Sequence, residues 1–220
     1  MVGYIQLIIS GALLGFFAAI PIGPVNLICI RRTLHFGTYY GFMSGLGAAL
    51  GDCMFASITA FGITALSQLI VGYSFPMQLF GGLFLMAFGI RTFFAPPPPN
   101  FRERLSAPVK SAPSQARAVA STFMLTVSNP ATFFAYTALI AGVGIFADAR
   151  TNTSFLTASF VVLGVFVGSA LWWLTLTTVV GLLHARINDA IVRRINEVSG
   201  LLVATFGAIV LLHLAGLDIF

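Results

Sequence analysis

Long, nearly uncharged apolar tracts alternate along this chain with short polar stretches. Five tracts stand out: Met1 to Ile30, Thr33 to Ile90, Ala118 to Ala147, Thr151 to Ala185 and Val198 to Leu217. A helix needs about 20 predominantly apolar residues to cross a hydrocarbon core about 30 Å thick, and every tract meets that length. The second tract is interrupted only by His35 and Asp52 and is too long for one helix; its polar patch of Ser67, Gln68, Gly72, Tyr73, Ser74 and Pro76 reads as a turn. The pattern predicts an all-α integral membrane protein with six transmembrane helices, at roughly 4–30, 40–65, 76–94, 118–146, 154–183 and 198–216. The uncharged start ends at Arg31 and Arg32, the reverse of a signal peptide's basic region followed by a short apolar run, so it is expected to be a true span.

Composition agrees. Charged residues are 8% of the chain and hydrophobic ones 58%, against roughly 25% charged in a soluble domain. The net charge of +5 does not form a basic stripe interleaved with surface aromatics, so no nucleic-acid partner is expected. The basic residues mark topology instead. Arg31 and Arg32 follow helix 1, Arg91, Arg102, Arg104, Lys110 and Arg117 flank the loop after helix 3, and Arg186, Arg193 and Arg194 follow helix 5, with Arg150 alone opposite. The positive-inside rule makes the basic face cytoplasmic and puts both termini outside. Cys29 and Cys53 sit in apolar stretches without CxxC spacing and read as buried free thiols.

The two halves resemble one another. Three helices on each side of a cytoplasmic linker make helices 1 and 4 cross in opposite directions, as in an inverted repeat. Helix 1 carries Pro21, Ile22, Gly23, Pro24, Val25, Asn26, and helix 4 carries Ser128, Asn129, Pro130 at the corresponding place. Gly47, Gly51 and Asp52 of helix 2 match Gly164, Gly168 and Ser169 of helix 5 in spacing. The chain is therefore one membrane domain: repeat one over 1–94, a linker over 95–117 stiffened by Pro96 to Pro99, and repeat two over 118–220.

Pro21, Gly23 and Pro24 together should unwind helix 1 locally, because proline removes a helix hydrogen bond and clashes with the preceding turn. Unwound backbone in hydrocarbon must find partners in protein or in a water-lined cavity. Asn129 and Pro130 read as an N-cap and first helical residue that restart helix 4, and Pro24 restarts helix 1 in the same way. Two half-helix N-termini converging on one cavity suit a carboxylate, so both breaks become candidate substrate sites; plain proline kinks are the structural alternative. Asp52 is the acidic residue deep within a span. A charged carboxylate there costs about 3 kcal/mol on insertion scales, so it faces the bundle interior or takes up a proton. That suits a proton carrier; a structural hydrogen-bonding role is the alternative. Ser169, its repeat partner, cannot titrate. His35, His184 and His213 fall near helix ends and read as interfacial, while Trp172 and Trp173 lie mid-helix and read as packing residues.

The ordered set Pro21-Ile22-Gly23-Pro24-Val25-Asn26-Leu27, then Gly45-Leu46-Gly47-Ala48-Ala49-Leu50-Gly51-Asp52, then Ser128-Asn129-Pro130, resembles the signature segments of the lysine exporter (LysE/RhtB) superfamily. The resemblance covers nearly the whole chain. It implies an antiporter-type exporter of amino acids or similar small zwitterionic or anionic solutes, usually driven by the proton gradient, and a homodimer. Carried over by motif, it implicates Pro21, Gly23, Pro24 and Asn26, Asp52, and Asn129 and Pro130. Ala131 stands where many family exporters have Lys, and Ile22 and Val25 are interposed in the Pro-Gly-Pro-Asn pattern that many share. A metal-ion or other small-ion exporter is the alternative, but it needs several carboxylates, thiols or imidazoles at one depth, where only Asp52 and Cys53 qualify. An intramembrane enzyme needs a nucleophile with a base or paired acids near the midplane, which the sequence does not offer, so neither catalysis nor a cofactor is expected.

Overall fold

The computed structural model describes residues 3–21, 23–65, 74–96, 111–142, 155–183 and 189–215, and the elements formed by these residues are helices. They are α1 (Tyr4–Ala19), α2 (Pro24–Phe36), α3 (Thr38–Ala65), α4 (Ser74–Phe93), α5 (Gln115–Val127), α6 (Pro130–Gly142), α7 (Phe155–Leu183) and α8 (Asp189–Leu214). Thr38–Gly62, Phe155–Leu182 and Ala190–Leu212 are each long and apolar enough to cross a membrane. The pairs α1 with α2 and α5 with α6 also qualify when each is taken as one span, bent by 83° and 70°. Shorter apolar α4 is the sixth candidate. Side chains such as Ile5, Phe80 and Leu182 are more than two-thirds exposed on the outside of the bundle, the distribution that lipid as solvent allows.

The boundaries differ from the sequence pattern where charge stands in for a helix end. The first span was expected to stop at residue 30, yet α2 continues through Arg31 and Arg32 to Phe36. Gly37 ends it, in the left-handed region at φ 89°, which a residue with a side chain rarely adopts. Arginine is a good helix former, and Arg32 reaches hydrogen-bond acceptors from within the helix. The last span was expected from residue 198, but α8 begins at Asp189 and contains Arg193, paired with Glu197 one turn on at 3.0 Å. The second half begins slightly early as well, with Ser114 capping α5 by accepting from the Arg117 N–H. Pro97 to Pro99, most of the expected turn between helices 2 and 3, and His184 lie outside the described residues.

The packing is organised by glycine. On α7, Gly164 and Gly168 lie against the backbone of Ile8, Gly11 and Ala12 of α1; on α3, Gly47 and Gly51 lie against Val119, Thr122 and Thr126 of α5. Lipid supplies no hydrophobic drive between helices, so close backbone approach through small residues carries the association. α3 packs directly on α7 in the centre of the bundle, and α4 pairs with α8. In that last pair Gly82 meets Gly207 and Gly89 meets Gly200.

Candidate functional site

Both broken spans restart on proline. Its fixed φ and missing N–H suit the first helical position, where no intrahelical donor is needed. Gly23, extended, precedes Pro24 at the start of α2. The break exposes the Pro21 carbonyl, and Asn26 answers it: its Nδ2 donates to that oxygen at 2.9 Å. In the second break Ser128 caps the C-terminus of α5 with its side chain exposed, and α6 starts at Pro130. The Asn129 N–H donates to the Thr126 carbonyl at 3.0 Å, while the Asn129 carbonyl accepts from Thr132 N–H at 3.1 Å. α1 touches α6, and α2 touches α5.

Asp52 occupies the midpoint of α3 and Ser169 that of α7, and the two touch: Ser169 Oγ donates to Asp52 Oδ2 at 2.6 Å. Trp173 Nε1 in turn donates to Ser169 Oγ at 3.2 Å. Because an indole N–H only donates, it occupies a lone pair of the serine and directs the hydroxyl proton to the carboxylate. Asp52 is 5% exposed and Ser169 is fully buried. From α6, the buried Tyr136 hydroxyl faces the same carboxylate without completing a hydrogen bond to it. Thr126, just before the second break, packs on Gly51. Val25 and Leu27, at the first break, pack on the cluster that contains Ala48, Ala49 and Trp173. Residues next to each break thus pack on the helices that carry Asp52 and Ser169.

Asn26 Oδ1, Thr126 Oγ1, the Tyr136 hydroxyl and Trp172 Nε1 are buried without a completed hydrogen bond among the described residues, and of these Thr126 and Tyr136 lie beside Asp52. An orphaned polar atom in so apolar an interior costs about 1–3 kcal/mol, which makes these side chains candidates for contact with a solute. The acceptors of Asn26 and Asp52 suit an ammonium group, and the hydroxyls of Thr126 and Tyr136 suit a carboxylate. Two apolar cavities lie elsewhere. One, of about 510 Å³, has Ile20, Trp172, Ile191 and Arg194 in its walls; the other, of about 320 Å³, lies between α1, α6 and α8. Neither is lined by Asn26, Asp52 or Asn129.

Sequence reasoning identified Asp52 and Ser169 as repeat partners but not as bonded to each other, and it passed over Tyr136. A phenol in the middle of an apolar span needs a partner, and that need was the available signal. Trp173 is the packing residue its mid-helix position indicated, at 3% exposed, with the added hydrogen bond to Ser169.

Comparison with known proteins gives two findings. The family model for LysE type translocators matches residues 16–214. Among curated proteins, the "Putative amino acid efflux protein YcgF" of Bacillus subtilis (strain 168) is 24% identical over 205 residues, which are 92% of this chain and 93% of that protein. No solved structure matches the chain.

Proposed function

Since the chain belongs to the LysE type translocators, we propose that it exports amino acids or similar small zwitterionic or anionic solutes across a bacterial inner membrane, in antiport with protons. The relative's name points to the same solute class. The observation that carries the reading is the set of orphaned donors and acceptors beside two helix breaks and a buried carboxylate. In this reading Pro21, Gly23, Pro24 and Asn26, with Ser128, Asn129 and Pro130, form the substrate region, and Asp52 carries the proton. The described basic residues fall at one end of the alternating spans, and that end is read as cytoplasmic. Proteoliposomes loaded with a panel of labelled L-amino acids are expected to release at least one of them faster than protein-free vesicles, and faster still when the receiving side is acidic. Release of none would sink the reading.

The six-span inverted repeat belongs to the same proposal, and three contacts support it. Gly164 and Gly168 seat α1 as their counterparts Gly47 and Gly51 seat α5. Gly82 and Gly89 of α4 meet Gly207 and Gly200 of α8, an exchange in which each residue meets the counterpart of the other, as across a two-fold axis. Asp52 meets its own counterpart Ser169, which residues related by a two-fold axis can do only beside that axis. A transporter that alternates access by rocking repeats holds its site there.

Asn26 and Asn129 separate a substrate role from a kink. Asn26→Ala and Asn129→Ala are each expected to raise the KM for the exported amino acid about tenfold, the loss of one or two hydrogen bonds. Size-exclusion profiles in detergent should stay normal. Unchanged KM in both variants would reduce the breaks to kinks.

A further inference from the structure

The hydrogen bonds of Arg32 cross between the two halves of the chain. Its Nη1 donates to Ser44 Oγ of α3 at 2.8 Å and to the Ala118 carbonyl of α5 at 3.0 Å, and its Nη2 donates to Ser121 Oγ of α5 at 2.9 Å. Both hydroxyls are already committed as donors, Ser44 to the Tyr40 carbonyl and Ser121 to the Ala118 carbonyl. Each therefore turns a lone pair to the guanidinium. The three acceptors are neutral, and no carboxylate pairs with Arg32 among the described residues. A partly buried cation held only by neutral acceptors is incompletely compensated. A guanidinium has five N–H donors. Three are used, leaving one on Nε and one on Nη2 without a partner among the described residues. Those are adjacent nitrogens of a planar group, the fork with which arginine takes a carboxylate. Arg32 lies about 9 Å along α2 from Asn26, toward the end where the basic residues gather.

The geometry points to Arg32 as the residue that receives a solute carboxylate at the cytoplasmic entrance, and in doing so loosens a latch between the repeats. The assignment rests on the export reading and on the orientation given with it. A carboxylate held by the free N–H groups of Nε and Nη2 is a stronger acceptor than the Ser121 hydroxyl on the neighbouring N–H of Nη2, and it draws the guanidinium toward itself and away from α5. That helix is the first half of the second broken span, so its release opens the way toward Asp52. The described residues around it add no rival anion: Cys29 lies one turn back on α2, Arg31 is adjacent, and the α3 and α5 contacts are hydroxyls and a carbonyl.

Proteoliposome export of the labelled L-amino acid panel, with unlabelled amino acids and their carboxamides as competitors, tests the assignment. Arg32→Gln is expected to raise KM roughly ten- to hundredfold, the loss of a charge-assisted fork, with the maximal rate kept within about threefold. Wild type should favour acid over carboxamide, Arg32→Gln should not distinguish them, and Arg32→Lys should recover part of the preference. Ser121→Ala, which removes a latch acceptor but no carboxylate donor, should keep the preference in full. An Arg32→Gln variant with unchanged KM and undiminished preference for the acid overturns the assignment. If the wild-type chain exports no amino acid, the export reading fails separately, and maleimide labelling of Cys29 in a Cys53→Ala background decides for Arg32. Acceleration of labelling by acetate that Arg32→Gln abolishes supports the carboxylate role, and no acceleration removes it.

Discussion

Export by the Asp52→Asn variant is expected to ignore an imposed pH gradient, while exchange of solute down its own gradient continues. Asp52 lies at the midpoint of α3, almost wholly buried, with the Ser169 hydroxyl on one oxygen and the Tyr136 hydroxyl facing it. No cation pairs with it among the described residues, and the other titratable groups beside it are Tyr136 and Cys53. Asparagine keeps the shape and still accepts from Ser169, so the α3–α7 contact survives the change, but it cannot take up or release a proton. A proton entering down a 100 mV potential releases about 2.3 kcal/mol, which sustains roughly a 50-fold solute gradient. Labelled amino acid in proteoliposomes with an acidic receiving side should therefore accumulate well above equilibrium with wild type and stop at equal concentrations with Asp52→Asn. Full pH-driven accumulation by the variant would leave Asp52 a structural acceptor for Ser169 and nothing more.

The sequence made the helical class, the proline-led breaks and the repeat-matched glycines legible because each depends on local chemistry. Proline at the start of a half-helix and glycine at a helix contact act the same way wherever the rest of the chain lies. The end of α2 was misread because Arg31 and Arg32 were treated as a boundary, whereas a helix carries arginine well and stops here at Gly37. The start of α8 was misread in the same way, at Arg193 and Arg194. The bonds among Asp52, Ser169 and Trp173, and the position of Tyr136 opposite them, depend on how distant helices are rotated about their axes. Spacing along one helix does not report that rotation. Arg32 was legible as a topological marker, while its three acceptors, 12 to 89 residues away, became visible only in the fold.

The other large effect is expected at Gly168, where α7 seats α1 one residue from Ser169. A Cβ at this position would fall 2.6–2.7 Å from the backbone carbon and Cα of Ala12 and closer still to its carbonyl oxygen. Backbone atoms of a packed helix cannot swing aside as a side-chain end can, so α1 must move off α7 as a body. Overpacking costs 1–3 kcal/mol where side chains can yield, and about 3 kcal/mol is expected here because they cannot. Gly62 on α3 is the matched control, since a Cβ there meets nothing within 4 Å. In a helix interior, alanine is better than glycine by up to about 1 kcal/mol, so Gly62→Ala should hold or raise the melting temperature in detergent. Gly168→Ala should lower it despite the same gain in propensity, and Gly168→Val should fail to give a monodisperse peak. Displacing α1 also shifts its end at Ile20 and the adjoining Pro21, so any Gly168→Ala protein that survives purification should export poorly. If Gly168→Ala proves as stable and as active as Gly62→Ala, α1 is not seated on α7 through this glycine, and the symmetry argued from the paired glycine stripes falls with it.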